Sequence, residues 1–134
     1  MSGREALRAV MDRFIDELWN NRDLDVASAI FKEDATLHLV DTVLTGIEAI
    51  RDESMRPAQE AFPDLFFEVV DLLFDGNKIA MRYVGSATHR GDYAGVAATG
   101  KKFTYDGIAI FHMDGNRIAE AWSHSDRARK LAEL

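Results

Sequence analysis

TGKKFTYDGIAIFHMDGNRIAEAWSHSD, residues 99–126, reads as two long strands folded back on each other at Asp114-Gly115-Asn116. With those three residues as the loop, Met113 faces Arg117, Phe111 faces Ala119, Ala109 faces Ala121 and Gly107 faces Ser123. One face of the hairpin is then built mostly from small side chains. The other carries Ile110 with Glu120, Ile108 with Trp122 and Asp106 with His124. Small residues along one face of a strand pair leave volume above the sheet, which either a closely packed helix or a ligand must fill.

The turn chemistry occurs twice. Asp-Gly-Asn-Lys-Ile-Ala at 75–80 matches Asp-Gly-Asn-Arg-Ile-Ala at 114–119, so residues 65–74 and 78–88 form a second hairpin of the same geometry. A loop marked by Gly91, Gly95 and Gly100 joins the two. Further upstream the period changes. Ser2 and Glu5 have the spacing of a capping box, and Leu7, Val10, Met11, Phe14, Ile15, Leu18 and Trp19 then recur at helical intervals. Asp23 starts a short second helix through Val26, Ile30 and Phe31, which Lys32-Glu33-Asp34 ends. A single strand follows over 35–43, with His38 on the face opposite Leu37 and Leu39. Thr45 and Glu48 open a third helix through Ile50 and Met55, which Pro57 kinks or divides, and Phe62-Pro63-Asp64 stops it. Residues 127–134 give a final helical turn. Helices first and strands later is the α+β pattern, with helices packed on one face of a curved, mostly antiparallel sheet.

The 134 residues, 47% of them hydrophobic, suffice for a single domain over 1–134. The absence of cysteine removes disulfides, thiolate nucleophiles and cysteine-bearing zinc sites, and suits a reducing, cytoplasmic compartment. No apolar run reaches a signal peptide's core or the roughly 18 residues of a membrane span. A formal charge of −7 argues against a nucleic-acid surface. Lys101-Lys102 and the run 127–130 read as solvated charge.

His89, Gly91, Gly95, Thr99-Gly100-Lys101, Gly107, Asp114-Gly115, Ile118, Glu120, Trp122 and Asp126 carry a resemblance that extends over nearly the whole chain. The sequence resembles the SnoaL-like polyketide cyclases and ester cyclases of the nuclear transport factor 2-like superfamily. That resemblance implies a cone-shaped α+β barrel with a pocket between helices and concave sheet. It also implies no metal or cofactor, and homodimers built sheet to sheet. The aspartate that serves such cyclases as acid/base falls on Ser123, and a helper histidine falls on Ala109. The polar pocket position of the first strand matches His38, and the loop histidine matches His89.

His38 is therefore the expected catalytic base, since an imidazole titrates near neutrality. The alternative is a histidine hydrogen-bonded in the core. Trp19, His89, Tyr105, Ala109, Ala121, Ser123 and Asp126 are expected around the ligand, although His89 equally reads as a loop anchor, Tyr105 as core and Asp126 as a helix cap. Asp41 is a solvated acid or a carboxylate at the pocket mouth, Tyr93 a core residue or a donor to a ligand carbonyl. Asp106 and His124 are a carboxylate and imidazole able to tune a proton shuttle, but on the convex face they read as a surface or interface ion pair. No phosphate loop, metal cluster or nucleophile elbow is present. The expected function is cofactor-independent acid-base chemistry, as a cyclase, isomerase or lyase, on a small apolar carbonyl compound. A non-catalytic binder of such a ligand, or a dimeric interaction module, is the alternative.

Overall fold

Both hairpins form, side by side, in a computed structural model that describes residues 3–134. Strands β3 (Phe66–Asp75) and β4 (Lys78–Thr88) make the first, β5 (Lys102–Asp114) and β6 (Arg117–Ser125) the second. With β1 (Phe31–His38) and the short β2 (Val43–Thr45) they give one six-stranded sheet in the order β2-β1-β6-β5-β4-β3. Only the β1–β6 pair is parallel. The sheet curves around the helices without closing, so the α+β architecture is that of a cone with an open side.

The register of the last hairpin differs from the expected one, for two local reasons. The loop is Gly115-Asn116 alone, with Asp114 paired to Arg117 and Gly115 at φ +59°, which is the demand of a two-residue turn with glycine first. The Gly76-Asn77 turn does the same. A bulge at Ala119 then adds one more residue on β6, since His112 pairs with Glu120 and Met113 with Ile118. Beyond it Ala109 faces Ser123, Phe111 faces Ala121, and Gly107 faces Ser125. Beyond the bulge the total slip is two residues, an even number, so those side chains keep the face expected of them, whereas before it the slip is one and Ile118, not Arg117, turns inward opposite Met113. Asp106 and His124 are not cross-strand partners, because Ile108 faces His124 and the Asp106 N–H donates to Asp126 Oδ1 at 2.8 Å.

The first helix, Gly3–Asp12, continues through Arg13–Asn20 in wider π turns and buries Leu7, Val10, Met11, Ile15, Leu18 and Trp19 as its period demands. Ser2 of the expected capping box lies outside the described residues. The second helix ends at Ile30, one residue earlier than expected, and buried Phe31 pairs with Ile118 as the first residue of β1. The strand expected over 35–43 is two strands, because the chain turns at 39–42, where the Leu39 N–H donates to Thr42 O at 2.8 Å. The third helix runs through Ile47–Ala49, π turns Ile50–Met55 and Arg56–Ala61. Pro57 falls in the first turn of the last segment, where the bonding pattern changes and its missing N–H is tolerated.

Two tyrosines lie across two glycines in the middle of the concave face. Tyr83 pairs with Gly107, and Tyr105 with Gly85 on the same two strands. A Cβ added to Gly107 would sit 2.2 Å from Tyr83 Cζ, and one on Gly85 would sit 2.7 Å from Tyr105 Cζ. On the convex face an apolar row crosses four strands and ends on His38 of a fifth: Leu73 faces Ala80, Ala80 faces Ile110, Ile110 faces Trp122, and Trp122 faces His38.

Gly107→Ala is therefore expected to destabilise the fold by roughly 1–3 kcal/mol in thermal or urea unfolding, against the usual gain from replacing a strand glycine. In a Tyr83→Ala background the penalty should largely vanish; an equal penalty in both backgrounds would mean that the tyrosine is not what the new methyl meets.

Candidate functional site

Between the helices and the concave sheet lies a cavity of about 800 Å³. The π turns of the first and third helices supply Phe14, Trp19 and Met55 to its wall, and β1 supplies Leu37. Its floor is Ala109, Phe111 and Ala121, so the small side chains of the last hairpin do leave open volume. A partly open, mainly apolar space of this size suits a ring-sized organic molecule.

Polar groups gather at one end. Tyr83, Tyr93, Ser123, Asp126 and Arg127 all line the cavity there. Burial pushes the Tyr83 phenol up, opposed by a hydrogen bond with Ser123 and the charge of Arg127. Tyr105 lies beneath them, outside the lining, with its phenol pushed up to about 12, mainly by burial. Its hydroxyl lies against Arg127 without a well-aligned hydrogen bond. Burial alone would lower the Arg127 guanidinium, but the surrounding phenols outweigh it and the group is raised. At neutral pH the Tyr83 and Tyr105 phenols are thus neutral beside the Arg127 cation, with Asp126 lining the same end.

Arg127 was missed by the sequence reading, which placed it in a solvated run. It opens the last helix, Arg127–Ala132, four residues before Leu131, the buried apolar residue of that helix. Positions i and i+4 share a helix face, so Leu131 carries Arg127 inward, and that spacing was the available signal. One guanidinium N–H donates to the Tyr93 hydroxyl at 2.7 Å.

Of the expected site residues, Trp19, Ala109, Ala121, Ser123 and Asp126 line the cavity, while His38, His89 and Tyr105 do not. The inward direction expected for His38 is corrected. Because β1 runs beside β6 with His38 opposite Trp122, the imidazole lies on the convex face, stacked on that indole at 4.9 Å and 6°. Its Nε2 is 2.6 Å from Glu120 Oε2. His89 is fully buried and anchors the glycine loop. Its Nδ1 accepts the Thr99 N–H at 3.3 Å, its own N–H donates to Lys101 O, and its carbonyl accepts from Gly100. Asp126 precedes the last helix but caps no helical N–H with its side chain; Oδ1 takes the Asp106 N–H and Oδ2 an Arg129 N–H at 3.1 Å. Asp41, in the β1–β2 turn, also lines the cavity, so it and Asp126 are the carboxylates among the lining residues.

No group of three or more metal-ligating side chains occurs among the described residues, and none of their helices is long and apolar enough to cross a membrane. The family model for SnoaL-like polyketide cyclases matches residues 9–134. No curated protein matches the chain significantly. Solved structures do. TsrD of Streptomyces laurentii is 25% identical with a TM-score of 0.84, covering 98% of both chains. IdmH of Streptomyces antibioticus, named a candidate polyketide cyclase, is 25% identical with a TM-score of 0.78, over 100% of this chain and 99% of the other. AclR of Streptomyces galilaeus, named a candidate hydroxylase, shares the fold at 23% identity and a TM-score of 0.84, covering 99% of each chain.

If the alanine floor bounds open volume, Ala121→Phe should abolish binding of the neutral dye Nile red while thermal unfolding stays cooperative. A variant that instead loses its cooperative transition would show a close-packed floor, where overpacking costs roughly 1–3 kcal/mol.

Proposed function

The chain belongs to the SnoaL-like polyketide cyclase family, and on that premise we propose that it is a cofactor-independent enzyme moving a proton on an apolar carbonyl compound held in the pocket. The observation that supports this most is the segregation of the cavity, apolar over most of its wall and polar at the end where Asp126, Ser123, Tyr83, Tyr93 and Arg127 meet. Ser123, where such cyclases carry their acid, cannot act as the base. Asp126 takes that part in this proposal. Its carboxylate removes a proton from the carbon beside a carbonyl, whose oxygen accepts hydrogen bonds from the Tyr93 or Tyr83 phenols as charge develops on it. The enolate carbon attacks a second carbonyl of the same molecule, forming a carbon–carbon bond, and the proton held by Asp126 passes to the resulting alkoxide. No atom is gained or lost. His38, on the far side of the sheet, has no part in the transfer.

The substitution at Ser123 also favours a second reading, a binder without turnover. A tricyclic aromatic diketone able to close by intramolecular aldol reaction separates the two. Closure above the buffer rate, reduced roughly 100- to 10,000-fold in Asp126→Asn and within about two-fold of the parent in His38→Ala, is the expected result. Tight binding with no closure would establish the binder, and undiminished turnover in Asp126→Asn would remove the base assignment.

The proposal includes a homodimer through the convex face. Leu73 (65% exposed), Ile108 (54%) and Ile110 (42%) present an apolar surface that a second copy would cover. Light scattering at micromolar concentration should give twice the chain mass, and Ile110→Glu should give one chain mass; a monomeric parent protein would overturn the assignment.

A further inference from the structure

The guanidinium at the polar end of the pocket takes part in no ion pair. Among the described residues no carboxylate pairs with Arg127. The adjacent Asp126 is turned to the Asp106 N–H and to Arg129 instead. Around the Arg127 Cζ stand the rings of Tyr93 at 5.1 Å, Tyr105 at 5.6 Å and Phe62 at 5.9 Å. Aromatic faces attract a cation but leave its N–H fork largely unsatisfied, and of its five donors the bond to Tyr93 uses one. A partly desolvated cation in this state gains most from a planar, bidentate acceptor. The buried Tyr105 hydroxyl, without a hydrogen-bond partner, lies against the same guanidinium.

We propose that Arg127 anchors a carboxylate of the bound molecule, so that the pocket takes a ring-sized apolar carbonyl compound as its free acid and discriminates against the neutral ester. The inference rests on the reading of the cavity as a ligand pocket. The anion comes from the ligand because the nearby carboxylate, Asp126, is bonded to the Asp106 N–H and to Arg129. An ester offers only neutral acceptors, which form the weaker class of hydrogen bond. Tyr93 sits on the loop between β4 and β5, so the residue that receives the acid also holds that loop over the cavity.

Anthraquinone-2-carboxylic acid and its methyl ester make a matched pair of probes for isothermal titration. Against the parent protein the acid should bind about 10- to 100-fold more tightly than the ester, the range of one hydrogen-bonded charge. Arg127→Met should erase that ratio by weakening the acid alone, with ester affinity kept within about three-fold. Arg127→Lys should keep part of the preference, and Tyr93→Phe, which frees a donor, should keep all of it. Thermal unfolding of each variant reports its folding, and if Arg127→Met does not fold, the ratio in the parent and in Arg127→Lys still decides. Equal binding of acid and ester, or equal losses for both in Arg127→Met, would overturn the anchor while leaving the pocket in place. Binding of neither probe would overturn both readings.

Discussion

Two tyrosines laid flat over two glycines set the geometry on which the rest of the site depends. Tyr83 covers Gly107 and Tyr105 covers Gly85, reciprocally across the same strand pair, so neither glycine can carry a side chain and neither ring can lift without leaving a hole. The exchange replaces two bulky residues standing side by side with two rings lying down, and the concave face is lowered where they lie. Their phenols then reach the same region from adjacent positions, where one meets Ser123 and both come under the charge of Arg127. Edge-to-face packing of Phe67 against Tyr83 at 4.9 Å and 80° fixes one ring from the neighbouring strand. Packing that holds the Tyr83 phenol in place limits the reorganisation needed when charge appears beside it.

Much of the architecture was legible because it follows from period and turn chemistry. The paired Asp-Gly-Asn turns, the alternation along β5 and the helical stripe from Leu7 to Trp19 each depend on residues close in sequence, and each element formed where its pattern lay. The hairpin register was less legible. It turned on whether Asp114 belonged to the loop and on a bulge at Ala119 that no residue type announces. The two effects summed to an even slip, which is why the alanine floor was assigned to the correct face from an incorrect pairing.

The site was legible only in part, and His38 and Arg127 show why. Alternation places His38 opposite Leu37, and Leu37 does face the cavity; taken alone, that would have put the imidazole outside. The resemblance outweighed it and set His38 inside. The structure follows the alternation, because a parallel partnership with Trp122 leaves no freedom to rotate the strand. Arg127 failed in the opposite way. Charge density suggested a solvated run, while a single apolar residue four positions on decided which of its cations turned inward. Parallel pairing and helix facing are relations between distant or unlike residues, and composition does not record them.

The π turns of the first and third helices bear on how such a pocket can change size. Winding with i→i+5 bonds packs more residues into each turn than α winding does, and both wound segments, Arg13–Asn20 and Ile50–Met55, contribute to the cavity wall. The breadth of the chamber is thus stored partly as a count of residues along the chain and not only as the bulk of side chains. Deleting one residue from either segment would return a turn to the tighter winding and rotate the lining residues beyond it relative to the floor. Insertions and deletions, which alter a strand's face at once, are on these two helices a graded means of refitting the chamber to a different guest.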